Sequence, residues 1–273
     1  MDKERAGIQS VEVGFTLLQA LAGAGGALML KDLAGAAGMS AAKAHRYLVS
    51  FQRLDLVVQD ARGRYDLGPA TLHLGLATLQ RQDPVRLARE RLPALQAQIP
   101  HTLALAVWGN RGPTLVHWEP SPQAVVAHLR LGDVMPLLSS ATGRCFAAWM
   151  PPALTAPLLA AELQQACSSA RSDLPRTDAA LQHLLAGVRQ QGCARVIDTL
   201  LPGTAAFCAP VFNASGHLAL GILSLGATAG FDTAWGGSVH TPLQSMAQQL
   251  SHDLGHRATA SPVQPTPTPT AAG

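Results

Sequence analysis

The sequence predicts a two-domain chain of the α/β (α+β) class, and three observations carry that expectation. A length of 273 residues suggests two folding units. Residues 8–67 read as helix, helix, turn, helix and strand hairpin, whereas residues 99–257 place strand hairpins between helices. Hydrophobic residues at 48 % and charged residues at 14 % are ample for packed cores and exclude general disorder. Residues 68–98 read as a helical linker. Residues 1–7 and the uncharged, Pro/Thr/Ala-rich residues 258–273 are expected to be disordered tails.

In the first helix Val11, Phe15, Leu18 and Ala22 recur at i, i+4, i+7 and i+11 and share a face. Gly23, Gly25 and Gly26 end it. A short second helix, about 31–37, stops at Gly38, and Ser40 is a good N-cap for a third, about 41–54. Ala44, Tyr47, Leu48 and Phe51 form its inward face; Lys43, Arg46, Ser50 and Arg53 form the opposite one. The strand-like runs 56–59 and 64–67 flank Asp60-Ala61-Arg62-Gly63, a turn sequence. Three helices followed by an Arg-tipped hairpin make a winged helix-turn-helix. Its third helix enters the major groove of DNA, and Arg62 and Arg64 lie beside the backbone or minor groove.

Beyond Gly68-Pro69, one helix runs to about Leu79 and a second opens at Asp83-Pro84. Residues 102–108 and 113–119 read as a hairpin and residues 125–131 as a third strand. Helices are expected at 141–150, 152–165 and 178–191, and strands at 193–199, 205–212 and 217–226. A final helix starts at Thr241-Pro242 and carries Leu243, Met246, Leu250 and Leu254 on one face.

A net charge of +3 is too small for a polycation, so a nucleic-acid site must be local. Between Ser40 and Arg64 five cations face two acids, Asp55 and Asp60, which suits phosphate contact. No leader peptide or membrane-spanning run is read, so the expected location is the cytoplasm, with no membrane partner. The four cysteines lack metal-ligand spacing and read as buried or partly buried thiols. His252 and His256 have i, i+4 spacing but no matching carboxylate or cysteine, so neither a metal nor a cofactor is assigned. Ser139 and Ser140 precede a helix and suit capping better than nucleophilic catalysis; no nucleophile elbow or phosphate loop is present. These absences point away from an enzyme.

Several segments carry a family resemblance: Ser10-Val11-Glu12, the run from Leu33 to Ser40, Ala44-His45-Arg46-Tyr47-Leu48 and Gly63-Arg64-Tyr65-Asp66-Leu67-Gly68. Further on come Gly132-Asp133-Val134-Met135-Pro136-Leu137, Ala141-Thr142-Gly143-Arg144, Cys208-Ala209-Pro210-Val211-Phe212 and Leu223-Ser224-Leu225-Gly226. Together they resemble the IclR-type bacterial transcriptional regulators over nearly the whole chain. The resemblance implies a GAF-like effector-binding domain and homodimers or homotetramers that read pseudo-palindromic double-stranded operator DNA. It also implies a DNA-contacting set of Ser40, Ala42, Lys43, His45, Arg46, Ser50, Arg53, Arg62 and Arg64.

The departures from the family pattern are informative. Lys-Ser-Thr, common before Ala-His-Arg, is Ala41-Ala42-Lys43 here; alanine still contacts a thymine methyl, so the operator is expected to differ. Where the pattern of oxo-acid-binding members has Asp, Cys, Ser and Ser, this chain has Val196, Ala206, Leu223 and Leu225. Ala124 and Ala127 stand for larger residues, and Leu138 stands for a common histidine. Met135 adds an adaptable wall, while Ser140, Thr142 and the amides from Ala141 onward are left to hold a carboxylate, with Arg130 or His128 as possible helpers. The expected effector is a small, apolar or aromatic carboxylic acid. Two other readings stand beside it: an oligomeric DNA-binding regulator with a vestigial pocket, and an enzyme with an appended helix-turn-helix.

Overall fold

The computed structural model describes residues 7–121, 129–168 and 173–257, and the chain divides into two compact units between Gln82 and Asp83. The first unit contains helices α1 (Gln9–Gly23), α2 (Leu30–Ala36) and α3 (Ala41–Arg53). The hairpin strands β1 (Val57–Gln59) and β2 (Tyr65–Leu67) follow, and then α4 (Pro69–Arg81). Gly38 at φ +65° makes the sharp turn after α2, a left-handed conformation in which a Cβ is strained. Ser40 caps α3 by accepting from the Lys43 amide at 3.4 Å.

Leu17, Leu21, Leu33, Ala44, Leu48, Val57 and Tyr65 form the core of this unit. Full burial of each leucine contributes roughly 1.5–3 kcal/mol. The inward face of α1 is Gly14, Leu17 and Leu21, not the face read from Val11 and Phe15, which are 64 % and 55 % exposed. Apolar residues occupy both sides of α1, and periodicity alone does not say which side packs. The hairpin pairs Val57 with Leu67 and Gln59 with Tyr65, and a bridge from Leu28 to Tyr65 anchors it.

The second unit opens with α5 (Pro84–Gln96), whose first amides are accepted by Asp83. Among the described residues five antiparallel strands follow along the chain: β3 (Thr102–Gly109), β4 (Gly112–Glu119), β5 (Ala194–Ile197), β6 (Thr204–Phe212) and β7 (Leu218–Ala227). They are ordered β4-β3-β7-β6-β5 in the sheet. Helices α6 (Ala141–Trp149), α7 (Pro152–Ser168) and α8 (Asp178–Gln191) contribute to the core on one face, and α5 and α9 (His240–Asp253) to the core on the other. With both faces covered, β7 is buried along almost its whole length, which is why it reads as a continuous apolar run.

Two expectations are corrected. Of the expected strand at 125–131, residues 125–128 lie outside the described residues and 129–131 form no strand. There Asp133 accepts from the Arg130 amide at 2.7 Å and Gly132 takes φ +90°, so the chain turns instead of extending. Cys145, Cys193 and Cys208 are buried, and burial pushes the Cys145 and Cys193 thiols well up, but Cys167 is exposed.

Candidate nucleic-acid interface and ligand cavity

Helix α3 separates its faces as its spacing requires. Ala44 and Leu48 are buried, whereas Ala42, Lys43, His45, Arg46, Ser50 and Arg53 are exposed, with Ser40 at the cap. Ala42, Lys43, Arg46, Tyr47 and Ser50 line a broad, shallow cleft together with Ser10 of α1. Two cations and three hydroxyls therefore converge on one open surface, an arrangement that takes phosphates and base edges. The close seating of α1 on α3 depends on Gly14, where a Cβ would stand 3.0 Å from the rings of Tyr47 and Phe51.

The hairpin treats its two arginines differently. Asp60 accepts the Arg62 and Arg64 amides at 2.9 Å and also pairs with the Arg64 guanidinium at 2.8 Å. The Arg64 amide leads in holding the Asp60 carboxyl below the usual carboxylate range, with the Arg64 side chain and the Arg62 amide adding to it. Arg64 thus shapes the turn, while Arg62 is exposed at its tip. An i, i+4 pair across a tight turn is not visible in strand periodicity, which is why the two read alike in sequence.

In the second unit Val196, Ala206 and Leu225 are cross-strand partners, and Leu223 lies two residues before Leu225 on the same face of β7. They form the floor of a cavity closed by Met135, Ser140, Ala141 and Thr142 at the start of α6. The cavity is narrow: it holds about 20 Å³ of space for a water-sized molecule, within about 350 Å³ of empty space that includes open solvent. Ser140 accepts from the Gly143 amide at 2.7 Å and donates to the Pro136 carbonyl at 2.7 Å, so it is the helix cap. The amides of Ala141 and Thr142, in the first turn, have no intrahelical acceptor. The Thr142 hydroxyl is buried without a hydrogen-bond partner. Free donors therefore converge at a helix N-terminus beside an apolar wall, which suits a carboxylate with an apolar body.

Leu138 is not on the cavity. Its side chain packs in the core, its amide donates to Glu162 at 2.8 Å and its carbonyl accepts from Arg144 at 2.7 Å. Arg130 is exposed and lies off the cavity, and Ala124, Ala127 and His128 lie outside the described residues.

The profile described as "IclR helix-turn-helix domain" matches residues 10–61, and that described as "Bacterial transcriptional regulator IclR C-terminal" matches residues 76–252. The chain belongs to the IclR family. The Glycerol operon regulatory protein of Streptomyces griseus is 30 % identical over 91 % of this chain and 97 % of that protein. The regulator KdgR of Escherichia coli is 25 % identical over 94 % of this chain and 96 % of that protein. The crystal structure of Pseudomonas aeruginosa HmgR superposes with a TM-score of 0.82 at 36 % identity, covering 92 % of this chain and all of that one (100 %). The Agrobacterium tumefaciens repressor BlcR shares the fold, with a TM-score of 0.75 at 22 % identity over 92 % of this chain and 99 % of that one. This IclR-family chain is a DNA-binding transcription regulator and not an enzyme. Among the described residues, no helix is long and apolar enough to cross a membrane.

Sequence reasoning missed several walls of the IclR-family regulator's cavity: Leu129, Leu200, Leu201, Thr204 and Ala205. Leu200 and Leu201 lie in the loop between β5 and β6, where no periodicity assigns a side. Thr204 and Ala205 open β6 and carried no family signal.

Proposed function

We propose that this IclR-family regulator reads its operator through α3 and the hairpin, and that an aromatic or otherwise largely apolar carboxylic acid in the cavity controls that binding. The observation that carries the effector class is the pairing of an apolar floor, Val196, Ala206, Leu223 and Leu225, with the unpartnered Thr142 hydroxyl and the first amides of α6. A two- or three-carbon oxo-acid finds few polar partners on that floor. Calorimetry with pyruvate, glyoxylate and a set of benzoates and phenylacetates tests this. Micromolar binding of an aromatic acid is expected, and binding of pyruvate or glyoxylate alone would overturn it. A vestigial pocket filled by its own side chains is the second reading, favoured by the narrowness of the cavity; it predicts no heat with any acid.

On the DNA side, Ser40, Ala42, Lys43, His45, Arg46, Ser50 and Arg53 are proposed to face the groove, with Arg46 the principal contact. Arg46→Ala should weaken operator binding by at least about 1 kcal/mol. Arg62→Ala should lower the salt slope of binding by about one unit and weaken all sequences alike. Arg64→Ala should act chiefly through the turn that Asp60 organises. A titration of the three folded variants across salt concentrations checks this. If Arg62→Ala lost discrimination at particular base pairs while keeping its salt slope, the tip would be reading bases.

Self-association is part of the proposal. Ile8 just before α1, Val11 and Phe15 on it, and Leu72, Leu74, Leu76 and Leu79 on α4 are exposed in the single chain. Apolar surface on this scale favours burial against a second copy, giving a homodimer or homotetramer that matches a two-fold operator.

A further inference from the structure

The turn that carries the anion-binding end of the cavity is held from outside by a carboxylate of the chain itself. Glu162 of α7 accepts the Leu137 amide on Oε1 at 2.7 Å and the Leu138 amide on Oε2 at 2.8 Å. The same turn is tied twice more: Arg144 donates from Nε to the Leu138 carbonyl, and Ser140 donates to the Pro136 carbonyl, both at 2.7 Å. Arg144 also reaches the Arg195 carbonyl at 3.2 Å, joining the turn to β5 beside Val196. Met135 before this turn, and Ser140, Ala141 and Thr142 after it, all line the cavity. Successive amides thus divide their work. Leu137 and Leu138 face an internal carboxylate, and Ala141 and Thr142 remain for a ligand.

We propose that Glu162 is a positioning residue of the effector cavity: it fixes the 136–140 turn so that the Ala141 and Thr142 amides and the Thr142 hydroxyl converge on a bound carboxylate. The proposal rests on the reading of this cavity as the effector site. Here each of the two amides takes its own carboxylate oxygen. Glutamine offers one acceptor and one donor at nearly the same size, so Glu162→Gln breaks one bond and sets N–H against N–H. The apolar floor belongs to β5, β6 and β7 and is untouched by that change. The loss should therefore fall on the acid group of a ligand and not on its apolar body.

The probes are phenylacetate and its neutral counterpart phenylacetamide, titrated into the full chain. Wild type is expected to bind the acid about tenfold more tightly than the amide. Glu162→Gln should weaken the acid about tenfold and leave the amide within twofold. Glu162→Asp keeps the charge but is too short to reach both amides, and should show an intermediate loss. If acid and amide weaken together, or neither changes, Glu162 does not position the anion site and the proposal falls. Hydrogen exchange without ligand provides the second readout. The amides from Leu137 to Gly143 should exchange faster in both variants, while those of β6 and β7 stay protected. Unchanged exchange at 137–143 overturns the positioning role by itself. Faster exchange there, in a protein whose wild type binds neither probe, overturns the cavity reading and with it the ligand role of Glu162.

Discussion

Gly143→Ala should destabilise the second unit by about 3 kcal/mol or more, one of the largest single effects the structure implies. A Cβ at this position would stand 1.9 Å from the Pro136 carbonyl oxygen and 2.5 Å from the Leu137 Cα. Both are backbone atoms, so no rotamer change relieves the clash. The turn must move, and with it the Ser140 cap and the hydrogen bonds to Glu162. For a unit of this size, such a loss lowers the melting temperature by roughly 6–12 °C. Differential scanning calorimetry of the full chain checks it through the transition assigned to the second unit. A variant melting with wild type would mean that the turn is far softer than its bonds imply.

Val196→Asp should abolish binding of the aromatic acid, with at least about a hundredfold loss. Val196 is only 5 % exposed, and its cross-strand partner is Ala206. A carboxylate placed there competes with the ligand for the Thr142 hydroxyl and the first amides of α6, which line the same cavity. It also repels the acid group of the ligand. The residues proposed to contact DNA belong to the other unit, so operator affinity without ligand should stay within about twofold. Calorimetry and operator titration of the same preparation, shown to be folded by circular dichroism, provide the check. Wild-type affinity for the acid in this variant would place the ligand elsewhere.

The sequence carries the helices well where caps and glycines punctuate them. Helix α8 runs Asp178–Gln191 as expected because Thr177 caps it and Gly192 at φ +65° ends it. The cavity floor is equally readable, because the two-residue period of β7 puts Leu223 and Leu225 on one face and the register brings Val196 and Ala206 beside them. Three features escape such reasoning. The face of α1 that packs is chosen by contacts with α3 and not by its own pattern, since Val11 and Phe15 are as apolar as Leu17 and Leu21. The pairing of Arg64 with Asp60 comes from turn geometry. The bonds from Glu162 to Leu137 and Leu138 span about 25 residues and have no signature short of the folded chain.

Control of operator affinity by the cavity is the central claim, and one titration tests it most directly. The full chain is used to select its preferred duplex from a random pool, and affinity for that duplex is measured with no acid, with phenylacetate and with pyruvate at fixed salt. A coupling of 1–3 kcal/mol, about five- to 150-fold, is typical of such regulation. The account predicts that saturating phenylacetate changes operator affinity by at least about fivefold, that pyruvate does not, and that Val196→Asp removes the response while leaving ligand-free affinity in place. Operator affinity indifferent to every aromatic acid, or responsive to pyruvate alone, would contradict it.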